Sequence, residues 1–318
     1  MNWYSHLLSS LVEPFGYSFM QRALLSCALI GFTNGFLGTF IILRRQALLA
    51  DALSHSLLPG LAVAAMIVGL SSPWGLLLGG LIAALFVALG AQVMARNSRL
   101  KEETAVASLY IIAFALVIVL IRFARVKVEL TEFLFGNILG VSNGDLWIAY
   151  GAAFLTLVTL VLFQRPLLLT LFDVAVAQAS GVRVRWVETG LLALTVLGLV
   201  ASLQAVGVLL SLGLLIIPAA TAYLLTDSFN RMLWGGAFLG MVCAVGGLFI
   251  SFFANIPSGP CIVMLMSVFL GLAYLFSPRY GVLFKLIRGR HYHEESLERW
   301  EGHQGHDHQV PQKSLEKE

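Results

Sequence analysis

The sequence predicts an all-α protein, a polytopic membrane bundle of about eight or nine transmembrane helices. Hydrophobic residues make up 58% of the 318 residues and charged residues only 12%, and the mean hydropathy is +0.87. Soluble domains are far less apolar. The apolar residues fall in long runs, each near the ~20 residues that cross the hydrocarbon core, and no run alternates as a membrane β-barrel requires.

Nine apolar runs are the candidate membrane helices, and they define one transmembrane domain over residues 19–290. Residues 1–18 have no basic region ahead of an apolar core, so they do not indicate a cleaved signal peptide and are expected on the outer side. Residues 291–318 form a polar tail that is expected to be cytoplasmic and disordered. The runs cover residues 19–43, 47–69, 74–94, 104–121, 146–163, 187–204, 206–225, 232–254 and 262–276.

The basic residues indicate the orientation of these helices. If the N-terminus is outside, most arginines and lysines fall in loops on one side, and the positive-inside rule places that side and the C-terminus in the cytoplasm. Arg122, Arg125 and Lys127 are the exception, because this topology leaves them outside. The cytoplasmic set comprises Arg44, Arg45, Arg96, Arg99, Lys101, Arg165, Arg183, Arg185, Arg231, Lys285, Arg288 and Arg290.

The second run contains an acid and an imidazole, Asp51 and His55. Ionisable groups cost roughly 2.5–3.5 kcal/mol each at the centre of a membrane helix, and they usually mark a pathway. Residues four apart share one helix face, so both side chains can reach a common atom. Pro59 lacks an N–H, so the His55 carbonyl is expected to lose its usual donor. Carboxylate, imidazole and carbonyl suit a divalent transition metal. The alternative is a buried pair that neutralises itself and joins two helices.

The segment 199–226 also carries polar residues in an apolar background, and it is long enough for two short helices. Pro218 is expected to break or kink the second, because proline removes a backbone donor. Polar groups and broken backbone are tolerated at membrane depth where they face protein or a wet cavity. The segment is therefore a candidate pathway wall, while ordinary hydrogen bonds between helices explain the same residues equally well. These residues are Gln204, Ser211, Pro218 and Thr221.

The break between residues 164 and 186 contains the signals of a short helix, directly after Phe172. Asp173 is a good N-cap, alanines such as Ala177 favour a helix, and Gly181 is a good stop. We expect a short helix over residues 172–181 on the cytoplasmic face, in a position that suits docking of a soluble partner.

Two further polar regions are less specific. The segment 129–145 is too polar and too short to span, so it is expected to form a short outer or re-entrant piece, with Asp145 capping the next helix. Glu129 and Glu132 either are solvated or recruit a cation at the entrance. The tail carries five irregularly spaced histidines that could bind zinc, nickel or copper loosely. These are His291, His293, His303, His306 and His308.

Five segments follow one another in the chain: RRQALLADALSHSLLPG, FLFGNILGVS, the segment 172–181, SLQAVGVLL and IPAATA. In this order, from about residue 19 to residue 276, they resemble the permease subunits of bacterial ABC importers for zinc, manganese and chelated iron. The resemblance implies the fold of a type II-like ABC importer permease and a place in the bacterial plasma membrane.

The same resemblance implies partners and site residues. The partners are a second permease copy or a related permease, two cytoplasmic ATPase subunits and an extracytoplasmic metal-binding protein. Asp51 and His55 are implied to contact the transported Zn²⁺, Mn²⁺ or Fe²⁺, and 172–181 to fit the ATPase, although Ala175 and Ser180 replace an acid and a leucine common there. The chain lacks G-x-x-x-x-G-K-[ST], so ATP is expected on the partner, and neither enzymatic activity nor a bound cofactor is expected.

Three other functions are weaker. An ABC permease for iron–siderophore or corrinoid cargo would need a wide cavity, not an acid–imidazole pair. An ion-coupled metal carrier would need more membrane carboxylates, whereas Asp51 is the only acid well inside a predicted span. A metalloenzyme would need H-E-x-x-H, and residues 293–297 lack its second histidine. The sequence does not distinguish zinc, manganese and iron.

Overall fold

The computed structural model describes residues 13–69, 72–123, 136, 138–277 and 281–283. Within these residues the regular structure consists of α-helices and two short 3-10 helices, Glu13–Gly16 and Ile138–Gly140. The α-helices are α1 Ser18–Leu43, α2 Ala47–Ser56, α3 Leu58–Val68, α4 Pro73–Asn97, α5 Glu102–Phe123, α6 Asn143–Leu162, α7 Gln164–Phe172, α8 Val174–Ala179, α9 Val184–Val206, α10 Val208–Leu225, α11 Phe229–Ala254 and α12 Ser258–Phe276.

The predicted multi-pass architecture is confirmed. Eight stretches of the described chain are long and apolar enough to cross a membrane, and α2 and α3 together form one of them, Ala47–Val68. The predicted run 104–121 corresponds to α5, a continuous helix of 22 residues. Every predicted run therefore has its helix, with ends a few residues from the predicted ones.

Helix α1 is the centre of the bundle and packs against α11, α10 and α6. Small residues at one-turn spacing let the backbones approach closely. A Cβ atom on Gly35 would lie 2.3 Å from the carbonyl oxygen of Gly236, and one on Gly31 would lie 2.6 Å from that of Gly240. The α1–α11 contact thus depends on residues without a side chain.

Helix α3 crosses α4 in the same way. A Cβ atom on Gly60 would lie 2.0 Å from the carbonyl oxygen of Gly79. Pro59 lies in the first turn of α3, where a missing N–H is tolerated. Leu57 separates α2 from α3 but keeps a helical conformation, and its carbonyl accepts from the N–H of Leu61 at 3.1 Å. Helices α2 and α3 together form one membrane span that is interrupted at Leu57.

The predicted division between the runs 187–204 and 206–225 lies at Gly207, and no break occurs at Pro218. Gly207 has φ 81° and ψ 166°, a conformation that favours glycine, and it separates α9 from α10. Pro218 lies inside the unbroken helix α10. A proline inside a membrane helix is accommodated when neighbouring helices surround it, and Pro218 is buried with its Cγ near Gly240.

Two smaller expectations also differ from the structure. The N-cap of α6 is Ser142, whose hydroxyl accepts from the N–H of Asp145, and the N–H of Ser142 donates in turn to the Asp145 carboxylate at 3.0 Å. This is a capping box, in which Asp145 occupies the third helical position. The break 164–186 is also more helical than expected, because α7 extends from α6 towards α8.

Candidate metal site and docking helix

Asp51 and His55 lie on one face of α2, as their spacing predicts. Oδ1 of Asp51 is 3.8 Å from Nε2 of His55. The side chain of Asp51 is 53% exposed and that of His55 is 28% exposed, so the rest of the chain does not bury the pair. Asp51 is therefore exposed and His55 partly exposed, as a pair of candidate ligands should be.

The imidazole of His55 also contacts a residue that sequence reasoning missed. Tyr110 of α5 lies with its ring centroid 5.6 Å from that of His55, and Phe114 continues the aromatic contact one turn further. A tyrosine in the middle of an apolar run, away from the interfaces where tyrosine is usual, is the sequence signal that could have found it. Helix α5 therefore restricts the orientation of the His55 ring.

The backbone carbonyls of Asp51 and His55 have more hydrogen-bond partners than the sequence suggests. The hydroxyl of Ser54 donates to the carbonyl of Asp51 at 2.7 Å. The carbonyl of His55, expected to be free because of Pro59, accepts from the N–H of Leu57. The third ligand suggested by the sequence is therefore already engaged in the joint between α2 and α3.

The described residues bring no third metal-ligand side chain to Asp51 and His55. Within the described residues no group of three or more His, Cys, Asp and Glu side chains is placed to hold a metal. One carboxylate and one imidazole suit manganese, iron or zinc, but such ions take at least four ligands. If an ion binds here, the described residues supply only these two side-chain ligands.

The four residues of the candidate pathway wall are engaged within the chain. Ser211 is buried and hydrogen-bonded to Ser202, so α10 meets α9 there. The amide N–H of Gln204 donates to the carbonyl of Pro73 at 3.0 Å, while its Oε1 is buried without a hydrogen-bond partner among the described residues. The hydroxyl of Thr221, also buried, donates to a carbonyl of its own helix one turn earlier. Three of these residues, Gln204, Ser211 and Thr221, thus have hydrogen-bond partners in the protein, and Pro218 is packed as described above.

The predicted short helix forms as α8. Asp173 is its N-cap and accepts from the N–H of Val176 at 3.0 Å, and Gly181 follows with φ 79°. Ala177 is fully buried and attaches the helix to the protein, so it does not face a partner. Phe172 is 70% exposed, and Val176 is exposed as well. Helix α8 therefore presents an apolar outer surface next to a buried inner one.

Some predicted residues lie outside the described part of the chain. These are Glu129 and Glu132 of the outer segment and the tail histidines His291, His293, His303, His306 and His308.

Comparison with known proteins identifies the family. The profile of the ABC 3 transport family matches residues 16–277, which includes α1 to α12. The chain belongs to the ABC 3 transport family. The resemblance inferred from the five sequence segments is thereby confirmed.

The similar members of the family are transport proteins. The chain is 43% identical over 293 residues to the manganese transport system membrane protein MntC of Halalkalibacterium halodurans, covering 92% of this chain and 99% of that protein. It is 35% identical to the chelated iron transport system membrane protein YfeD of Yersinia pestis, covering 85% and 90%. The solved structure of PsaBC from Streptococcus pneumoniae in complex with Fab superimposes with a TM-score of 0.76 at 33% identity, covering 86% and 97%. The ABC 3 chain described here is thus a multi-pass transport subunit with an ABC permease fold.

Proposed function

We propose that this ABC 3 protein is the permease of an ATP-driven importer for a divalent transition metal, and that the metal is manganese. The observation that carries the proposal is the open Asp51–His55 pair on α2, 3.8 Å apart in a membrane span. Charged groups inside spans are costly and mark the paths of ions.

A second copy of the permease completes the metal shell in this proposal. On one protomer Asp51 is exposed and His55 partly exposed, and together they provide two ligands. A two-fold axis beside α2 would bring two such pairs together, for four ligands of mixed oxygen and nitrogen type. Closed cyclic dimers are the commonest arrangement of identical subunits, and their interfaces are self-complementary.

ATP hydrolysis belongs to a separate cytoplasmic subunit that docks on α8. The exposed Phe172 and the apolar surface beside it suit a hydrophobic cleft of that partner. The N-cap hydrogen bond from the N–H of Val176 to Asp173 stabilises this short helix. The bundle then spans the plasma membrane of a bacterium, and the end that carries α8 faces the cytoplasm. The C-terminus lies on the same side.

The choice of manganese rests on the relatives, since the ligand types alone do not decide it. The relative from Halalkalibacterium halodurans is named for manganese transport and that from Yersinia pestis for chelated iron. Zinc binds mixed oxygen and nitrogen ligands more tightly than manganese does, so selection against zinc must come from geometry or from the protein that delivers the ion.

Transport then proceeds by transfer of the ion between ligand sets. An extracytoplasmic binding protein delivers the ion, and the Asp51 carboxylates and His55 imidazoles replace its lost water where an unpaired divalent charge would be prohibitive. Closure of the ATPase subunits moves α8 and switches access from outside to inside. The pair binds only transiently, since conduction requires that the ion can also leave.

Metal uptake into a host that lacks its own importers tests the proposal. The permease is expressed with its ATPase and binding protein, and uptake of Mn²⁺, Zn²⁺ and Fe²⁺ is measured for wild type, Asp51→Asn and His55→Ala. We expect ATPase-dependent manganese uptake that both variants abolish, with normal membrane expression and ATPase binding. Replacing the tail histidine His306 by Ala is the matched control and should leave uptake near wild type.

Three results would contradict the proposal. Full uptake by His55→Ala would make that residue structural. Uptake of zinc or iron but not manganese would change the metal. Uptake that persists without the ATPase and follows a proton gradient would make the protein an ion-coupled carrier.

A further inference from the structure

An ion pair connects two parts of the chain that border the two functional segments. Nη2 of Arg44 lies 2.8 Å from Oε1 of Glu188, and 144 residues separate them. Arg44 is the C-cap of α1, and Glu188 lies in the second turn of α9. The side chains are 15% and 34% exposed. The pair is therefore partly buried and joins elements that are remote in sequence.

On one side, the ion pair leads to α8. The N–H of Val182 donates to the carbonyl of Ala177 at 3.0 Å, and the N–H of Val184 donates to the carbonyl of Val182 at 2.9 Å. Ala177 and Val184 are both buried. Since these bonds and contacts hold α8 to the first turn of α9, a displacement of α8 also displaces Glu188.

On the other side, the ion pair leads to α2. Arg44 precedes α2 by three residues. Arg45 adopts the left-handed conformation with φ 58°, and the N–H of Gln46 donates to the carbonyl of Ile41 at 3.0 Å. This is the hydrogen-bond pattern of a Schellman stop, which fixes the angle between consecutive helices. Movement of Arg44 is thus passed to the base of the helix that carries Asp51.

A neighbouring hydrogen bond connects α9 to a different element. The hydroxyl of Thr189 donates to Oε1 of Gln92 at 3.0 Å, and Arg96 donates to the same oxygen at 3.5 Å. Both Gln92 and Arg96 belong to α4. This bond ties α9 to α4, whereas the ion pair ties α9 to the turn before α2, so the two connections can be tested separately.

The Arg44–Glu188 pair is expected to contribute modestly to folding stability. Ion pairs with one partly exposed partner contribute little to stability, because solvent screens them and both side chains lose freedom. The bundle already has extensive packing of α1 against α11 and α10. What distinguishes this pair is its location between the turn before the metal-bearing helix and the helix that follows α8.

We infer that the Arg44–Glu188 ion pair transmits the movement of α8 to α2. Arg44 and Glu188 are then positioning residues for Asp51 and His55 and do not contact the ion. This inference rests on the proposed function, in which an ATPase binds α8 and the metal binds α2. When the ATPase subunits close, α8 and the start of α9 move together, and Glu188 moves Arg44 and the base of α2.

The test uses the complete transporter, with its ATPase and binding protein, in proteoliposomes. Manganese transported and ATP hydrolysed are measured in the same sample. The variants are Arg44→Gln, Glu188→Gln and the exchanged pair Arg44→Glu with Glu188→Arg. Arg45→Gln is the matched control, because it removes the same charge from the neighbouring exposed residue. Thr189→Val removes only the hydrogen bond to α4.

Each single variant is expected to lower manganese transported per ATP about tenfold, within the usual range of coupling between distant sites. ATP hydrolysis and thermal stability should stay near wild type, and the exchanged pair should recover most of the loss. Arg45→Gln and Thr189→Val should transport normally.

Three outcomes would overturn the inference. In the first, the single variants transport the normal amount of manganese per ATP. In the second, the exchanged pair is as defective as the single variants. In the third, hydrolysis, transport and thermal stability fall together, which indicates a structural role. A wild-type transporter that moves no manganese with ATP would instead refute the proposed function on which the inference rests.

Discussion

His55 of α2 lies beside Tyr110 of α5, with ring centroids 5.6 Å apart and ring planes inclined at 33°. A histidine ligand binds a metal well only when its ring is held in one orientation, which is normally the task of a neighbouring group. In this protein the neighbour is an aromatic ring from a helix that begins 47 residues after His55. The contact makes α5 part of the candidate site.

Replacing Tyr110 by Ala should weaken metal uptake, because the His55 ring loses the surface that orients it. Hydrogen-bonded supporting groups contribute about 10–100-fold to metal affinity, and a ring contact such as this one is expected to contribute less. Tyr110→Phe keeps the ring and should transport normally. Manganese uptake as a function of manganese concentration distinguishes the two variants. If Tyr110→Phe is as impaired as Tyr110→Ala, the hydroxyl itself acts on the ion, and the orienting role is refuted.

The proposed two-fold axis predicts a cross-link between copies at residue 51. Asp51→Cys places a thiol on the exposed face of α2, whereas the native Cys27, Cys243 and Cys261 are buried. A short bis-maleimide should therefore give covalent dimers of Asp51→Cys in membranes and only monomers of wild type. Gel electrophoresis after cross-linking measures the result. A residue-51 thiol that a mono-maleimide labels but that forms no dimer would argue against an axis beside α2.

Helix α8 should lose its partner when its exposed aromatic residue is shortened. Phe172→Ala should reduce co-purification of the ATPase with little effect on folding, because Phe172 is 70% exposed. Ala177→Leu should instead destabilise the protein by about 1–3 kcal/mol, since it overpacks a fully buried position. Co-purification and thermal unfolding in detergent separate the two effects.

Trp147 provides the matched control for that experiment. It is also 70% exposed but lies near the start of α6, so Trp147→Ala should leave ATPase binding intact. Equal loss of the ATPase in Phe172→Ala and Trp147→Ala would mean that α8 is not the docking element.

The α1–α11 crossing should not tolerate even one methyl group. Gly35→Ala would place a Cβ 2.3 Å from the carbonyl oxygen of Gly236, and the helices must separate at a cost of about 1–3 kcal/mol. Gly190→Ala on α9 meets nothing within 4 Å and should be neutral or stabilise by up to about 1 kcal/mol. Thermal unfolding of both variants in detergent tests this contrast. Similar stability of the two would show that α1 and α11 can move apart freely.

Much of the fold could be predicted because the signals for a membrane helix are local. Hydropathy, run length and polar breaks located every span, and the residues Asp173 and Gly181 marked the ends of the short helix that became α8. The expectation of a break at Pro218 was wrong, because α10 continues through that residue. A proline breaks an exposed helix, but Pro218 is enclosed by other helices, so α10 continues, and the break lies at Gly207, which alone can adopt φ 81° without strain.

For the candidate site, too, one part could be predicted from the sequence and another could not. Asp51 and His55 could be recognised without coordinates, since four-residue spacing places two side chains on one helix face wherever that helix lies. The environment of the pair could not be recognised, because it depends on how the helices are rotated and packed. Only the folded chain brings Tyr110 to His55, gives the His55 carbonyl a partner in Leu57, and leaves Asp51 open at the surface of the protomer.

Local composition was thus sufficient for the class of protein, its helices and the candidate Asp51–His55 pair, because each depends on residues within one or two turns of one another. Contacts across the chain required the packed bundle. The joining of Arg44 to Glu188 over 144 residues is the clearest case, since no local pattern specifies which of many charged side chains will meet when a dozen helices pack. The physical reason is that hydrophobic burial selects the helices, whereas small residues such as Gly35 and Gly60 determine how closely and at what angle they cross.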